Sequence, residues 1–181
     1  MNKAYDTMRA FWLDVKNLQH KQDVPQLGAQ KVCVAGVEMA AVDAKGVLKH
    51  ILIAASSLGN ASIYFENNSP SGIGGFTGGS SSGAIYEKAQ QLLKQAAQSA
   101  EQLTPAATLP VQDNPKQVTL FTISIDGQIR MANVPEAEVR QAGYPLYAFF
   151  AYTQQLLGAF RAQQEAAQSK PPAPPKETPK A

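Results

Sequence analysis

The stretch Val118-Thr119-Leu120-Phe121-Thr122-Ile123-Ser124-Ile125-Asp126-Gly127-Gln128-Ile129-Arg130-Met131-Ala132-Asn133-Val134 decides the fold class. Two runs rich in β-branched and apolar residues flank Asp-Gly, the short-range signal of an antiparallel hairpin. A two-residue turn would set Ile125 opposite Gln128 and Ile123 opposite Arg130, mixing apolar with polar on one face. A three-residue loop, Asp126-Gly127-Gln128, instead sets Ile125 opposite Ile129 and Ile123 opposite Met131, because a one-residue slip exchanges the faces. The expected connection is therefore the three-residue loop with a glycine-assisted bulge.

Upstream, Ile51-Leu52-Ile53 and Ala61-Ser62-Ile63-Tyr64-Phe65 flank Ser57-Leu58-Gly59-Asn60 and read as another hairpin. The first of these runs is apolar on both faces, as an interior strand is. The stretch from Asn67 to Gly83 is dense in turn formers and reads as a Gly/Ser loop containing Gly74, Gly75, Gly78 and Gly79, with room for a short strand at Ile73 to Phe76. Ile85, Ala89, Leu92, Leu93, Ala96, Ala100 and Leu103 repeat at helical spacing until Pro105, which predicts a helix over 84–103. A last helix is expected from Tyr144 to about Gln163, with Pro145 in its first turn and a stripe of Leu146, Phe150, Thr153, Leu157 and Phe160. Near the start, Tyr5, Met8, Phe11, Trp12, Val15 and Leu18 predict a helix over 2–20. Val32 to Val42 fits helix and strand alike, and helix is the reading adopted. The fold class that follows is α+β: an antiparallel sheet of two hairpins plus a short strand, with helices packed on it.

Composition narrows the function classes. The chain has 181 residues, 44% of them hydrophobic, enough for a single domain expected over residues 1–167. Residues 168–181, with Lys170-Pro171-Pro172-Ala173-Pro174-Pro175, read as a disordered Pro/Lys-rich tail. That tail carries the whole formal excess of +2, leaving no basic stripe for nucleic acid. Asp6 and Asp14 interrupt the first apolar residues, and Glu38, Asp43, Lys45, Lys49 and His50 break the most apolar window, so neither a signal peptide nor a membrane span is expected. A lone Cys33 suits a reducing compartment, and a cytoplasmic protein is the expectation.

Motifs for chemistry are few. Gly79-Ser80-Ser81-Ser82-Gly83 fits the G-x-S-x-G nucleophile pattern, but His20 and His50 both precede Ser81 in the chain. The same loop lacks the lysine of a phosphate-binding loop. No histidine or cysteine spacing suits a metal, and no cofactor is expected. A carboxylate pair between Glu66 and Asp126, Glu136 or Glu138 is left open. The aromatic run at the start of the last helix, Tyr144, Tyr147, Phe149 and Tyr152, is the strongest candidate for partner binding, because tyrosine supplies apolar area with a polar handle.

The order of elements resembles the profilin-like and roadblock-like α/β sandwiches, a likeness of architecture that carries no function. Over about residues 51–161, the run Gly59-Asn60-Ala61-Ser62-Ile63-Tyr64-Phe65, the segment Ile73-Gly74-Gly75, the strand Thr119-Leu120-Phe121-Thr122-Ile123 before Asp126-Gly127, and Tyr144-Pro145-Leu146 with Arg161 resemble small bacterial proteins of the toxin-immunity kind. That resemblance implies a non-enzymatic protein that binds a cognate partner such as a toxin. A small serine hydrolase using Ser81 and a homodimeric scaffold pairing its last helices are the alternatives.

Overall fold

In the computed structural model, which describes residues 3–17, 31–67, 69–79 and 83–169, the chain opens with helix α1 (Lys3–Leu13). Strands β1 (Val32–Val42), β2 (Leu48–Ser56), β3 (Ala61–Glu66) and β4 (Ile73–Gly78) follow, then helix α2 (Gly83–Ser99). Strands β5 (Thr104–Ala106), β6 (Gln117–Ser124) and β7 (Ile129–Pro135) come next, then the short α3 (Glu136–Val139) and the long α4 (Tyr147–Gln168). The strands form one seven-stranded sheet in the order β4-β3-β2-β1-β6-β7-β5, and every neighbouring pair is antiparallel. The α+β class expected from the sequence is the class observed.

Val32–Val42 is the central strand β1, not a helix. Residues 32–38 are all buried, because β2 and β6 flank β1 and helices cover both faces. A strand closed in on both faces loses its period-two alternation, which removes the signal that separates it from a buried helix. Gly36 lies in the middle of it, where a Cβ would stand 2.3 Å from the Ile53 carbonyl oxygen and 2.8 Å from the Phe121 ring.

Three hairpin connections share one design. Asp43, Ser56 and Ser124 each donate a backbone N–H to the carbonyl four residues on (Val47, Asn60 and Gln128), and each accepts from the glycine three residues on. Those glycines, Gly46, Gly59 and Gly127, have φ of 79°, 82° and 84°, the left-handed conformation that closes a three-residue loop with a glycine bulge. The β6–β7 loop is thus three residues long as expected, but it is Ile125-Asp126-Gly127. Ile123 pairs with Ile129 and Phe121 with Met131, a shift of two from the expected register that preserves the faces. Ile125 falls in the loop and is exposed. The turn begins at Ser124, whose hydroxyl bonds the Asp126 carboxylate.

The two faces of the sheet carry separate cores. On one, Tyr5, Trp12 and Val15 pack over Val34, Leu52, Phe121 and Ile123. On the other, α2 and α4 bury Ile85, Leu92, Leu93, Phe149, Phe150 and Phe160 over Val37, Ile53, Ile63 and Leu120, each large side chain contributing about 1.5–3 kcal/mol. Helix α1 is shorter than the 2–20 expected, and Phe11 projects from it 43% exposed, edge-on to Trp12. Leu18 and residues 170–181 lie outside the described residues. Helix α4 starts two residues after Pro145, and Leu156 rather than Leu157 completes its buried stripe.

The glycine segment is largely an edge strand and not a loop: Gly74, Gly75 and Gly78 belong to β4, and Gly79 follows it. Close approach explains these glycines. A Cβ on Gly74 would meet the Phe65 ring at 2.5 Å, and one on Gly75 the Ile63 carbonyl oxygen at 2.5 Å. β5, built around Pro105, was not visible in the sequence, since proline there signalled only a loop.

Candidate functional site

Helix α4 buries one side and leaves another at the surface. Phe149 and Phe150 are fully or almost fully buried, so Phe149 is a core residue and leaves the set of candidate contacts. Tyr147 is 36% exposed, and Tyr144 and Tyr152 are half-buried against the same core. Tyr147 donates its backbone N–H to Tyr144 at 2.9 Å, which fixes the tyrosine before the helix against the first tyrosine within it. The Arg140 guanidinium lies 5.2 Å over the Phe150 ring and bonds Glu136 one turn back. Tyr147 is thus the most exposed of the three tyrosines, on a helix anchored by buried phenylalanines.

A polar cluster that the sequence did not disclose lies at the other side of the sheet. His50 on β2 and Glu66 on β3 sit side by side, and His50 Nδ1 is 2.6 Å from Glu66 Oε2. The His50 backbone N–H donates to the same oxygen at 3.1 Å. On the far side of the ring, Nε2 is 2.9 Å from Asp113 Oδ1. Burial works against a charge on His50, but the bonds to Asp113 and Glu66 outweigh it and raise its pKa above the ordinary value. Both ring nitrogens are thus engaged by carboxylates, and neither is turned to a substrate proton or a metal ion. A hollow of about 450 Å³ opens beside the cluster, lined by Val47, Lys49, His50, Glu66, Asn67 and Asp113 among others.

The Tyr5 ring lies 5.7 Å from that of His50, and its hydroxyl donates to Glu38 at 3.0 Å. Glu38 is fully buried and accepts two bonds from Arg9, at 2.8 and 2.9 Å. Arg9 also donates to the Leu109 carbonyl at 2.6 Å. Burial, then the Glu38 charge, pushes the Tyr5 hydroxyl far above its usual pKa. This arrangement fastens α1 and the loop before β6 to the sheet.

Glu66 therefore meets His50 and neither Glu136, Glu138 nor Asp126; Glu136 pairs with Arg140 and Asp126 caps its own turn. Ser81 and His20 lie outside the described residues. Gly79 follows the end of β4 that pairs with Ala61, and Ala61 pairs with Ala55. That end of the sheet is five residues along β2 from His50, about 17 Å. His50 is thus remote from Gly79. Among the described residues no group of three or more His, Cys, Asp or Glu is placed to hold a metal ion, and no helix is long and apolar enough to cross a membrane. Cys33 is buried, donates to the Ile123 carbonyl at 3.3 Å, and has its pKa raised by burial to about 11. No protein-family model, no curated protein and no solved structure matches the chain.

Proposed function

We propose that this chain is a non-enzymatic protein-binding domain, a bacterial immunity or adaptor protein acting in the cytoplasm, whose contact surface is Tyr144, Tyr147 and Tyr152. The observation that supports it is the position of Tyr147, exposed on a helix that Phe149 and Phe150 lock into the core. A tyrosine held by a rigid base loses little freedom on binding and buries a large apolar ring. The hydrolase alternative draws no support from His50, which is occupied on both nitrogens.

Affinity capture from the protein's own host, comparing wild type with Tyr147→Ala, tests the reading. A partner retained by the wild type and lost by the variant, with thermal stability unchanged, is the expected outcome. Equal retention by both forms would sink the assignment of the surface. Hydrolysis of ester or amide substrates that disappears in Ser81→Ala would instead establish the enzyme.

A further inference from the structure

Strand β4 is an outer strand whose register with β3 runs without a shift from Ala61↔Gly78 to Glu66↔Ile73. Outer strands are ordinarily blunted by charge, proline, a bulge or extreme shortness, because their free N–H and C=O groups template pairing. The opposite edge obeys this rule: β5 has three residues, one of them Pro105. β4 disobeys it, since Ile73-Gly74-Gly75-Phe76-Thr77-Gly78 has no charge, no proline and no bulge. Its backbone polarity follows from the preceding turn. Asn67 donates to the Gly72 carbonyl at 3.0 Å, so antiparallel alternation turns the groups of Gly74, Phe76 and Gly78 toward β3. Ile73, Gly75 and Thr77 turn theirs outward, and the Ile73 carbonyl, which accepts from the Ser71 hydroxyl at 3.0 Å, keeps a second lone pair for a partner strand.

We infer that this edge is a self-association site, at which β4 pairs antiparallel with β4 of a second copy about a two-fold axis through Gly75. Such an axis, normal to the sheet, keeps residues of one face together only when it passes through a residue, and outward groups must meet outward groups. Centring on Gly75 satisfies both conditions and engages every outward group: Gly75 meets Gly75, and Ile73 meets Thr77 in both directions. Centring on Ile73 or Thr77 leaves outward groups of the strand unpaired. In the Gly75 register Phe76 of each copy stands opposite Gly74 of the other, beside the Phe65 ring that lies against that glycine, so ring meets ring and no like charges are brought together. This mutual fit favours a second copy over an unrelated peptide strand. Beside Phe76 a hollow of about 390 Å³ is lined by Phe160, Gln163, Gln164 and Ala167 of α4, and α4 beyond Phe160 is exposed throughout. The second copy fills that hollow.

Sedimentation equilibrium on the full chain tests this independently of the tyrosine surface. The Thr77 N–H points away from β3, so Thr77→Pro removes no bond of the monomer, and Thr77→Lys supplies the edge charge that is missing. Wild type is expected to be dimeric in the micromolar range and both variants monomeric, with far-UV circular dichroism unchanged. Under mild oxidation Ile73→Cys/Thr77→Cys is expected to form covalent dimers that neither single variant forms, since bonded antiparallel partners lie about 5.5 Å apart, within disulfide reach. A monomeric wild type, a dimer that survives both Thr77 substitutions, or a double-cysteine protein that does not cross-link overturns the inference.

Discussion

His50 shows what one side chain contributes when a carboxylate sits on each ring nitrogen. Its pKa is raised in the folded protein, so folding favours the protonated ring. The associated stability is fully present below the unfolded value of about 6.5 and is lost as pH rises through the higher folded value. The urea midpoint of the wild type is therefore expected to fall as pH rises above about 6.5. Asp113→Asn, which keeps an acceptor but removes a charge, is expected to flatten that fall, and identical pH profiles would refute the linkage. Half of this cluster was within reach of the sequence. Extending the β2–β3 hairpin outward from Ile53↔Ile63 brings His50 opposite Glu66. Asp113 was not within reach, because it arrives from a loop that no periodicity places.

At the scale of elements, the hairpins were legible and the strand between them was not. Glycine in a short polar turn announces itself, whereas β1 owes its state to partners on both sides, and only the assembled sheet supplies them. The shared turn also separates two uses of glycine. Nothing lies within 4 Å of a Cβ built on Gly46 or Gly127, so Gly46→Ala and Gly127→Ala are expected to cost only the left-handed backbone penalty, about 1–2 kcal/mol each. Gly36→Ala drives a methyl into the Ile53 carbonyl and the Phe121 ring, and is expected to cost more than either. Urea denaturation of the three variants gives the ranking, and equal losses would contradict the steric account. The tyrosines of α4 were legible as a group. Which of them face outward was not, because the aromatic residues spread over too much of the helix circumference to define one stripe.

For the whole molecule, the layer formed by α1 depends on a buried charge. Arg9→Ala leaves Glu38 fully buried with only the Tyr5 hydroxyl as partner, and is expected to destabilise the fold by about 3–5 kcal/mol. Replacing the set together, as Arg9→Met/Glu38→Leu/Tyr5→Phe, is expected to recover most of that loss, since an apolar substitute has no charge to desolvate. Chemical denaturation of the two proteins checks both statements, and a triple variant no more stable than Arg9→Ala would overturn the second.

The order of strands has a kinetic consequence as well. β1 to β4 are consecutive neighbours, and β6 and β7 form a hairpin of their own, but the two groups meet only where β1 lies beside β6, as in Val34 with Ile123. That seam joins segments from opposite halves of the chain, so its loop-closure entropy falls on a single step after the local hairpins have formed. Closure of the seam is therefore expected to set the refolding rate: in stopped-flow measurements substitutions at Val34 or Phe121 should slow folding itself, while those at the outer hairpins should chiefly hasten unfolding, and the reverse pattern would refute this order of events.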